Sequence, residues 1–384
     1  MREVYLDNNA TTPVAPEVIK VMAENVNLYG NASSMHGFGR KAASAIEKAR
    51  GHVETLLNAP GDTVMFTSGG SESDNNVFHT ARTLIDEGSQ RKTIIVSTIE
   101  HPAIIETCKD LEKNGYDVRY VGVDHFGVVQ VEALEKMMND QVLLVSVMSA
   151  NNETGTIQPV KELTKVAHSY GALMHTDAVQ AVGKIPIDVQ EWDVDYLSIS
   201  GHKFYGPKGV GALYIKKGVP FETFVRGGHQ EGGKRAGTYN TNAIIGMGEA
   251  ARLVMNEPAE SREKEWDLRE RLRKGLLENI PDAVVNGHPS LCLPGTLNIS
   301  FPQAEGESIL LMLDFEGIAV STGSACATGS LEPSYVLLAS DLDIELAHGS
   351  IRFSLGRYTT QDDIDYVISK VPPIIKRLRE ISTR

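Results

Sequence analysis

An α/β fold, with a mostly parallel sheet covered by helices on both faces, follows from three features of the chain. Apolar, β-branched-rich runs at residues 63–67, 93–97, 118–121, 141–147, 173–175, 196–199 and 210–215 read as strands. Helical patterns lie among them: one carries Val77 and Leu84, and others span 101–113 and 131–138. Strands that alternate with helices build parallel sheets. Finally, 384 residues exceed what one small core needs, so one large and one smaller α/β unit are expected. The composition shift at Asn256-Glu257-Pro258 marks the boundary. It assigns residues 13–257 to the large domain, and residues 1–12 with 258–384 to the small one.

The chain opens with a short strand at Tyr5 and Leu6, then a polar turn over 7–12 that ends at Pro13. Residues 13–29 read as a helix with Val14, Val18, Val21 and Met22 on one face. A glycine- and serine-bearing loop, 31–39, leads to a second helix over 40–57, where Ala42, Ile46, Ala49, Val53 and Leu56 share a side. Beyond residue 215 a glycine-rich excursion, 226–238, precedes helical patterning from 244 to 277. The remainder carries strand patterns at 296–301, 318–321 and 350–354 and a helix after Asp362.

Composition excludes several classes. A formal charge of −13 argues against a nucleic-acid backbone or an anionic membrane as principal partner. The N-terminus, MREVYLDNN, has no apolar signal core, and the longest apolar run, near 142–147, is too short to span a bilayer. The three cysteines, Cys108, Cys292 and Cys326, show no CxxC spacing and no even count. A reducing compartment, the cytoplasm, is expected.

The stretch SISGHKFYGPKGVG places Lys203 at the lip of a buried strand and ahead of a glycine-rich turn. A lysine held there can bind an anion as a point charge, or form a Schiff base with a carbonyl cofactor. Upstream, HTDAVQ puts Asp177 at the end of another short strand, with Gln180 three residues on. Pyridoxal phosphate needs a carboxylate on its pyridinium nitrogen and profits from a donor near its phenolic oxygen. Asp177, Gln180 and Lys203 could supply the carboxylate, the donor and the imine. In TSGGSESDNN, small residues between a strand and a helix N-terminus aim several N–H groups at one point, so Gly70 and Ser71 read as a phosphate cradle.

These blocks, with EHPAI, SANNETGTIQP and STGSAC followed by LEPSYVL, resemble the class V aminotransferase group of fold-type I pyridoxal-phosphate enzymes. Within it they are most similar to the cysteine desulfurases of the NifS and IscS branch. The matching blocks run in family order from Tyr5 to beyond Arg357. The resemblance implies a large domain around a seven-stranded, mostly parallel sheet, and a homodimer. It also implies that His101 stacks on the cofactor ring and assists proton transfer, although a histidine before Pro102 could equally cap a helix. Ser200 and His202 complete the phosphate site, and Asn152 touches the ring and the substrate carboxylate. Thr238 reaches the partner subunit's phosphate, and Arg352 grips the substrate carboxylate, with Arg357 the weaker candidate. The chain departs from the family in Ala32, where proline is common, and in Thr322 and Ala327-Thr328-Gly329 around the cysteine.

The run from Ser321 to Ser330 is almost all small residues, which predicts a mobile loop with Cys326 at its centre. Its apolar bulk is too small to bury that thiol, and the resemblance makes Cys326 the nucleophile that takes sulfur from L-cysteine. Cys108 and Cys292 sit in apolar company and read as structural. The products are L-alanine and a Cys326 persulfide, passed to a sulfur acceptor such as an iron–sulfur scaffold protein. No resident metal is expected, although Cys326 could touch a nascent iron–sulfur cluster. An aminotransferase or selenocysteine lyase would share the cofactor residues, whereas a non-catalytic scaffold would have no use for Lys203, Asp177 and Gln180.

Overall fold

The structure is a computed structural model that describes residues 2–322 and 332–382, and every structural statement below refers to those residues. Cys326 and its neighbours at 323–331 lie outside them. The chain begins with β1 (Val4–Tyr5), α1 (Pro16–Asn25), α2 (Gly37–Leu56), β2 (Val64–Thr67) and α3 (Gly70–Asp86). It continues through β3 (Thr93–Ser97), α4 (Pro102–Lys113), β4 (Asp117–Val121), α5 (Val131–Met137), β5 (Val142–Ser146) and α6 (Val160–Ser169). Then come β6 (Leu173–Asp177), α7 (Val189–Trp192), β7 (Tyr196–Ser200), β8 (Gly211–Ile215), α8 (Thr241–Met255) and α9 (Glu260–Asn279). The last part holds β9 (Val284–Asn286), β10 (Thr296–Ser300), α10 (Gly306–Phe315), β11 (Ile318–Ala319), β12 (Ser321–Thr322), α11 (Tyr335–Ala339), α12 (Ile344–His348), β13 (Ser350–Ser354) and α13 (Gln361–Ser382).

The expected mostly parallel sheet is present. Its seven strands run in the order β2-β8-β7-β6-β5-β3-β4. Only β8 is antiparallel to its neighbours. It returns directly from β7 through residues 201–210, a connection that an antiparallel pair permits and a parallel pair does not. β3, β5 and β7 are buried along their whole length, as strands covered on both faces must be. β4 is one of the two edges; its exposed Asp117 and Arg119 pair with each other and blunt it. Gly211 shows how tightly the sheet is built behind the cleft. A Cβ there would lie 2.6 Å from the Ile199 carbonyl oxygen and 2.7 Å from Gly69 Cα.

Two large buried apolar clusters flank the cleft. One joins Ala15, Ile46, Val145, Leu197 and Phe204 to residues as far along as Val254, plus Leu293. The other gathers Val4 and Leu6 with Leu272, Ile299, Ile351, Phe353 and Ile375. The second cluster packs on a four-stranded antiparallel sheet, β12-β13-β10-β9. Residues 291–293 bridge the two by lying against the loop of Asn152: Ile157 N–H donates to Leu291 O and Leu293 N–H to Gly155 O, both at 2.9 Å.

Three expectations change. The single strand at 318–321 is two, since β11 pairs in parallel with β1 while β12 pairs with β13. The first helix starts at Pro16 and not at Pro13, because a residue before proline is held extended, and Ala15 has φ −61° and ψ 143°. The second starts at Gly37, three residues early, because the His36 ring accepts from Gly39 N–H and caps it. α8 ends at Met255 and α9 begins at Glu260, so the composition shift at 256–258 lies between two helices.

Arg50 and Glu231 form a buried, bidentate ion pair, with Nη1 to Oε2 at 2.7 Å and Nη2 to Oε1 at 2.9 Å. Arg50 Nη1 also donates to Val64 O, and Phe66 N–H donates to Glu231 Oε2. The pair thereby ties the excursion around residue 231 to β2. Removing one partner strands the other charge. Arg50→Leu is expected to cost about 3–5 kcal/mol in urea unfolding. The double variant Arg50→Leu/Glu231→Gln is expected to recover most of that loss.

Candidate active site

The strands of a parallel sheet present their C-terminal ends to one side, and crevices form there. β6 ends in Asp177, β7 runs into a short helical turn that ends in Lys203, and α3 starts at Gly70 just after β2. Together they outline a cleft of about 310 Å³ lined by Asn9, Gly70, Ser71, His101, Asn152, Asp177, Gln180, Ser200, His202, Lys203 and Arg352, among others. The sequence-derived candidates within the described residues therefore meet here, except Thr238 and the weaker candidate Arg357. Thr238 borders a separate depression with Thr67, Arg235 and Tyr239.

Lys203 Nζ donates to the carbonyls of Asn9 and Ala10, the latter at 3.0 Å. Asp177 is buried, and its Oδ1 accepts from Val179 N–H at 2.8 Å. Burial pushes its carboxyl up to about 6, against the pull of its own hydrogen bond and of the Lys203 charge. Gln180 Nε2 donates to Asn9 O at 2.7 Å, and its Oε1 accepts from Lys184 Nζ at 2.8 Å.

His101 precedes Pro102 and caps α4, with Nδ1 accepting from Ala103 N–H at 3.1 Å. Burial, followed by the Lys203 charge, lowers the imidazole to about 4. A neutral ring whose Nδ1 accepts carries its proton on Nε2. His202 is lowered to about 4 as well, by burial and then by Lys203 and Lys208; its Nδ1 lies 3.0 Å from Thr11 Oγ1.

At the mouth of α3, a Cβ on Gly70 would meet Val179 Cγ2 at 2.7 Å, so glycine keeps this corner open. The Glu72 carboxylate accepts from Ser68 N–H and pairs with Arg235, which links the helix start to the excursion that carries Thr238.

Arg352 lies on β13 and is buried. Its Nη1 donates to Asn152 O at 3.0 Å and its Nη2 to Asp7 Oδ1 at 2.9 Å, while its buried Nε has no hydrogen-bond partner among the described residues. Arg357 is held instead by Glu257 and stacks over Tyr205, and it does not line the cleft. Both described cysteines are buried, and burial pushes each thiol up.

The sequence reading missed four polar residues here. Asp74 lines the cleft, and its Oδ1 is buried with no hydrogen-bond partner among the described residues. Burial and the nearby Asp177 hold its carboxyl well above the usual carboxylate range. Its spacing of four from Gly70 on a helix would have placed it on the same face. Lys184 stands four residues beyond Gln180, a weaker signal because that segment is not helical. Asp7 and Glu100 carried no local signal. Glu100, pushed up to about 8 by burial, accepts from Met148 N–H.

The aminotransferase class-V family model matches residues 4–367. The chain is 49% identical over 383 residues to the cysteine desulfurase IscS of Dictyoglomus turgidum, covering 99% of this chain and 96% of the relative. It is 46% identical over 384 residues to the cysteine desulfurase NifS of Azotobacter vinelandii, covering 100% and 95%. Among solved structures, a NifS-like protein superposes with a TM-score of 0.89 at 39% identity over 100% of both chains. The fold, the cleft and these likenesses agree: the chain belongs to the class-V aminotransferase family of pyridoxal-phosphate enzymes.

Proposed function

We propose that the protein is a cysteine desulfurase, which converts L-cysteine to L-alanine and carries the sulfur as a Cys326 persulfide to an acceptor protein such as an iron–sulfur scaffold. The observation that carries this reading is the convergence of Lys203, Asp177, His101 and Arg352 on one cleft, in a chain whose full-length relatives bear that name.

The residues present suit pyridoxal phosphate. The start of α3 with Gly70 and Ser71, together with Ser200 and His202, offers donors for a phosphate. Asp177 is a buried carboxylate suited to a ring cation, and Lys203 is the amine for covalent attachment. The bound cofactor supplies an electron sink that acidifies the substrate's Cα–H.

The protein's own residues do the rest. Arg352 orients the substrate carboxylate through its guanidinium, with Asp7 and the Asn152 carbonyl fixing the plane of that group. The Lys203 amine takes the Cα proton and returns one to the product. His101 presents its Nε2 proton to the cleft. The Cys326 thiolate attacks the substrate sulfur: an S–S bond forms, the C–S bond breaks, and its electron pair stays with carbon, which is protonated to give alanine.

The same reading divides the chain into residues 13–257 and residues 1–12 with 258–384, and the two apolar clusters support that division. It also makes the protein a homodimer in which Thr238 serves the partner's phosphate. Thr238 lies outside its own chain's cleft, and Val26, Tyr29, Met35 and Phe38 expose apolar surface near the start of the chain. The three cysteines, with no CxxC spacing, favour the cytoplasm. Among the described residues no helix is long and apolar enough to cross a membrane.

Lys203→Ala is expected to fold, to lose borohydride-fixable cofactor, and to release alanine at least about a hundredfold more slowly. Alanine release at the parental rate would remove Lys203 from the chemistry.

The pH dependence has a definite sign. In the cofactor-free protein the raised Asp177 contributes stability that is complete below its ordinary value of 3.8 and is lost as pH rises through about 6. A ring cation pairs only with the ionised form. Cofactor affinity is therefore expected to rise with pH through about 6, and Asp177→Asn to abolish that rise. Equilibrium dialysis of pyridoxal phosphate measures both.

Cys326→Ala separates the two halves of the reaction. In deuterated water it is expected still to exchange the Cα hydrogen of L-cysteine, while alanine and persulfide formation fall by more than about a hundredfold. Parental alanine release would mean that the sulfur passes to a thiol other than Cys326. It would also favour the selenocysteine-lyase or aminotransferase alternative.

A further inference from the structure

Lys184 takes no part in the chemistry above, yet it is half-buried beside the cleft, and its surroundings define a role. Its Nζ donates to Gln180 Oε1 at 2.8 Å and to Asn9 Oδ1 at 2.7 Å. Both acceptors belong to residues that line the cleft. Gln180 in turn donates through Nε2 to Asn9 O, the same carbonyl that accepts from Lys203 Nζ. Asn9 is used at every polar atom: its N–H donates to Ser354 Oγ, and its Nδ2 donates to Thr296 Oγ1 and Asn152 O. Lys184, Gln180, Asn9 and Lys203 thus form one continuous network.

We infer that Lys184 is a positioning residue: its N–H donors fix which end of the Gln180 amide faces the cofactor, and they hold the turn whose carbonyls grip Lys203. This rests on the cofactor assignment above.

The argument is one of shape and hydrogen-bond inventory. The two ends of a glutamine amide are nearly equal in size, so only partners decide their orientation. The Lys184 ammonium can only donate, so it admits only Oε1 and turns Nε2 toward Asn9 and the cleft. Without it, the amide could present its oxygen to the cofactor's phenolic oxygen, acceptor against acceptor.

Protonation sets the range over which this holds. Burial, followed by the Lys203 charge and more weakly by Arg352, lowers Lys184 to about 7, while Glu265 on α9 acts in the opposite sense. Glu257 and Arg262 border the same corner. Only the ammonium form, with three N–H donors and no lone pair, excludes Nε2, so the orientation is strongest below about 7.

The test is a double-mutant cycle on the full-length apoprotein with Lys184→Met, Gln180→Ala and both together. The dissociation constant of pyridoxal phosphate is measured by fluorescence, and the visible band of each loaded protein is titrated with pH. Methionine fills the buried space without a charge to desolvate. Each single variant is expected to bind the cofactor roughly tenfold more weakly, the worth of about one hydrogen bond. Each should also move the band's midpoint by about one pH unit in the same direction. The double variant is expected to go no further than either single one, because both changes remove one device.

If Lys184→Met does not fold, Lys184→Arg, which donates and has no acceptor, is expected to retain the parental midpoint. A midpoint equal to that of Gln180→Ala would overturn the inference. Additive losses in the double variant, or a parental midpoint in Lys184→Met, would overturn it while leaving the cofactor reading intact. A parent protein that binds no pyridoxal phosphate would overturn both.

Discussion

The grip of the Asn9 and Ala10 carbonyls on the Lys203 ammonium is the contact on which the cleft depends. Lys203 belongs to the seven-stranded sheet, at the point where β7 turns back toward β8. Asn9 belongs to an N-terminal segment anchored on the other sheet: Asp7 bridges to Ser354, Asn8 Nδ2 donates to Ser354 O, and Leu6 sits in the second apolar cluster. One charge-assisted contact therefore joins two separately built cores. A lysine held by carbonyls is kept within reach of the cleft, and the cost of burying its charge is offset by two acceptors.

The buried polar groups in and around the cleft follow a second constraint, that ions without partners do not persist out of water. Asp74, Glu100, Glu153 and Asp177 are all raised by burial, and His101, His175 and His202 are all lowered by it. Each shift disfavours the charged form. Of the cationic groups lining the cleft, Arg352 is matched by Asp7 and Lys203 by carbonyls. Such a wall suits a ligand that brings its own charges, a ring cation to Asp177 and a phosphate to the start of α3. The ligand then supplies the partners that the protein withholds.

Much of this was legible in the sequence because it is locally encoded. The period of the apolar residues marked the strands from β2 to β8 and most helices. Turn chemistry placed Gly70, Asp177 and Lys203 at strand ends, and strand ends of a parallel sheet converge on one side whatever the order of the strands. His101, before Pro102, was marked by the same logic as a helix start.

What the sequence by itself determined, then, was the α/β class, the strand-end residues and the thiol set among small neighbours. Tertiary structure alone decided which distant groups meet. It split residues 318–322 between two sheets, because β1 and β13 compete for that short segment from opposite ends of the chain. It brought Asp7 to Arg352 across 345 positions and Lys184 to Asn9 across 175. It also made acids of Asp74 and Glu100 that resist ionisation. None of these has a local signature, since hydrogen-bond partners and burial are properties of the packed chain, set by the closing of two cores on each other.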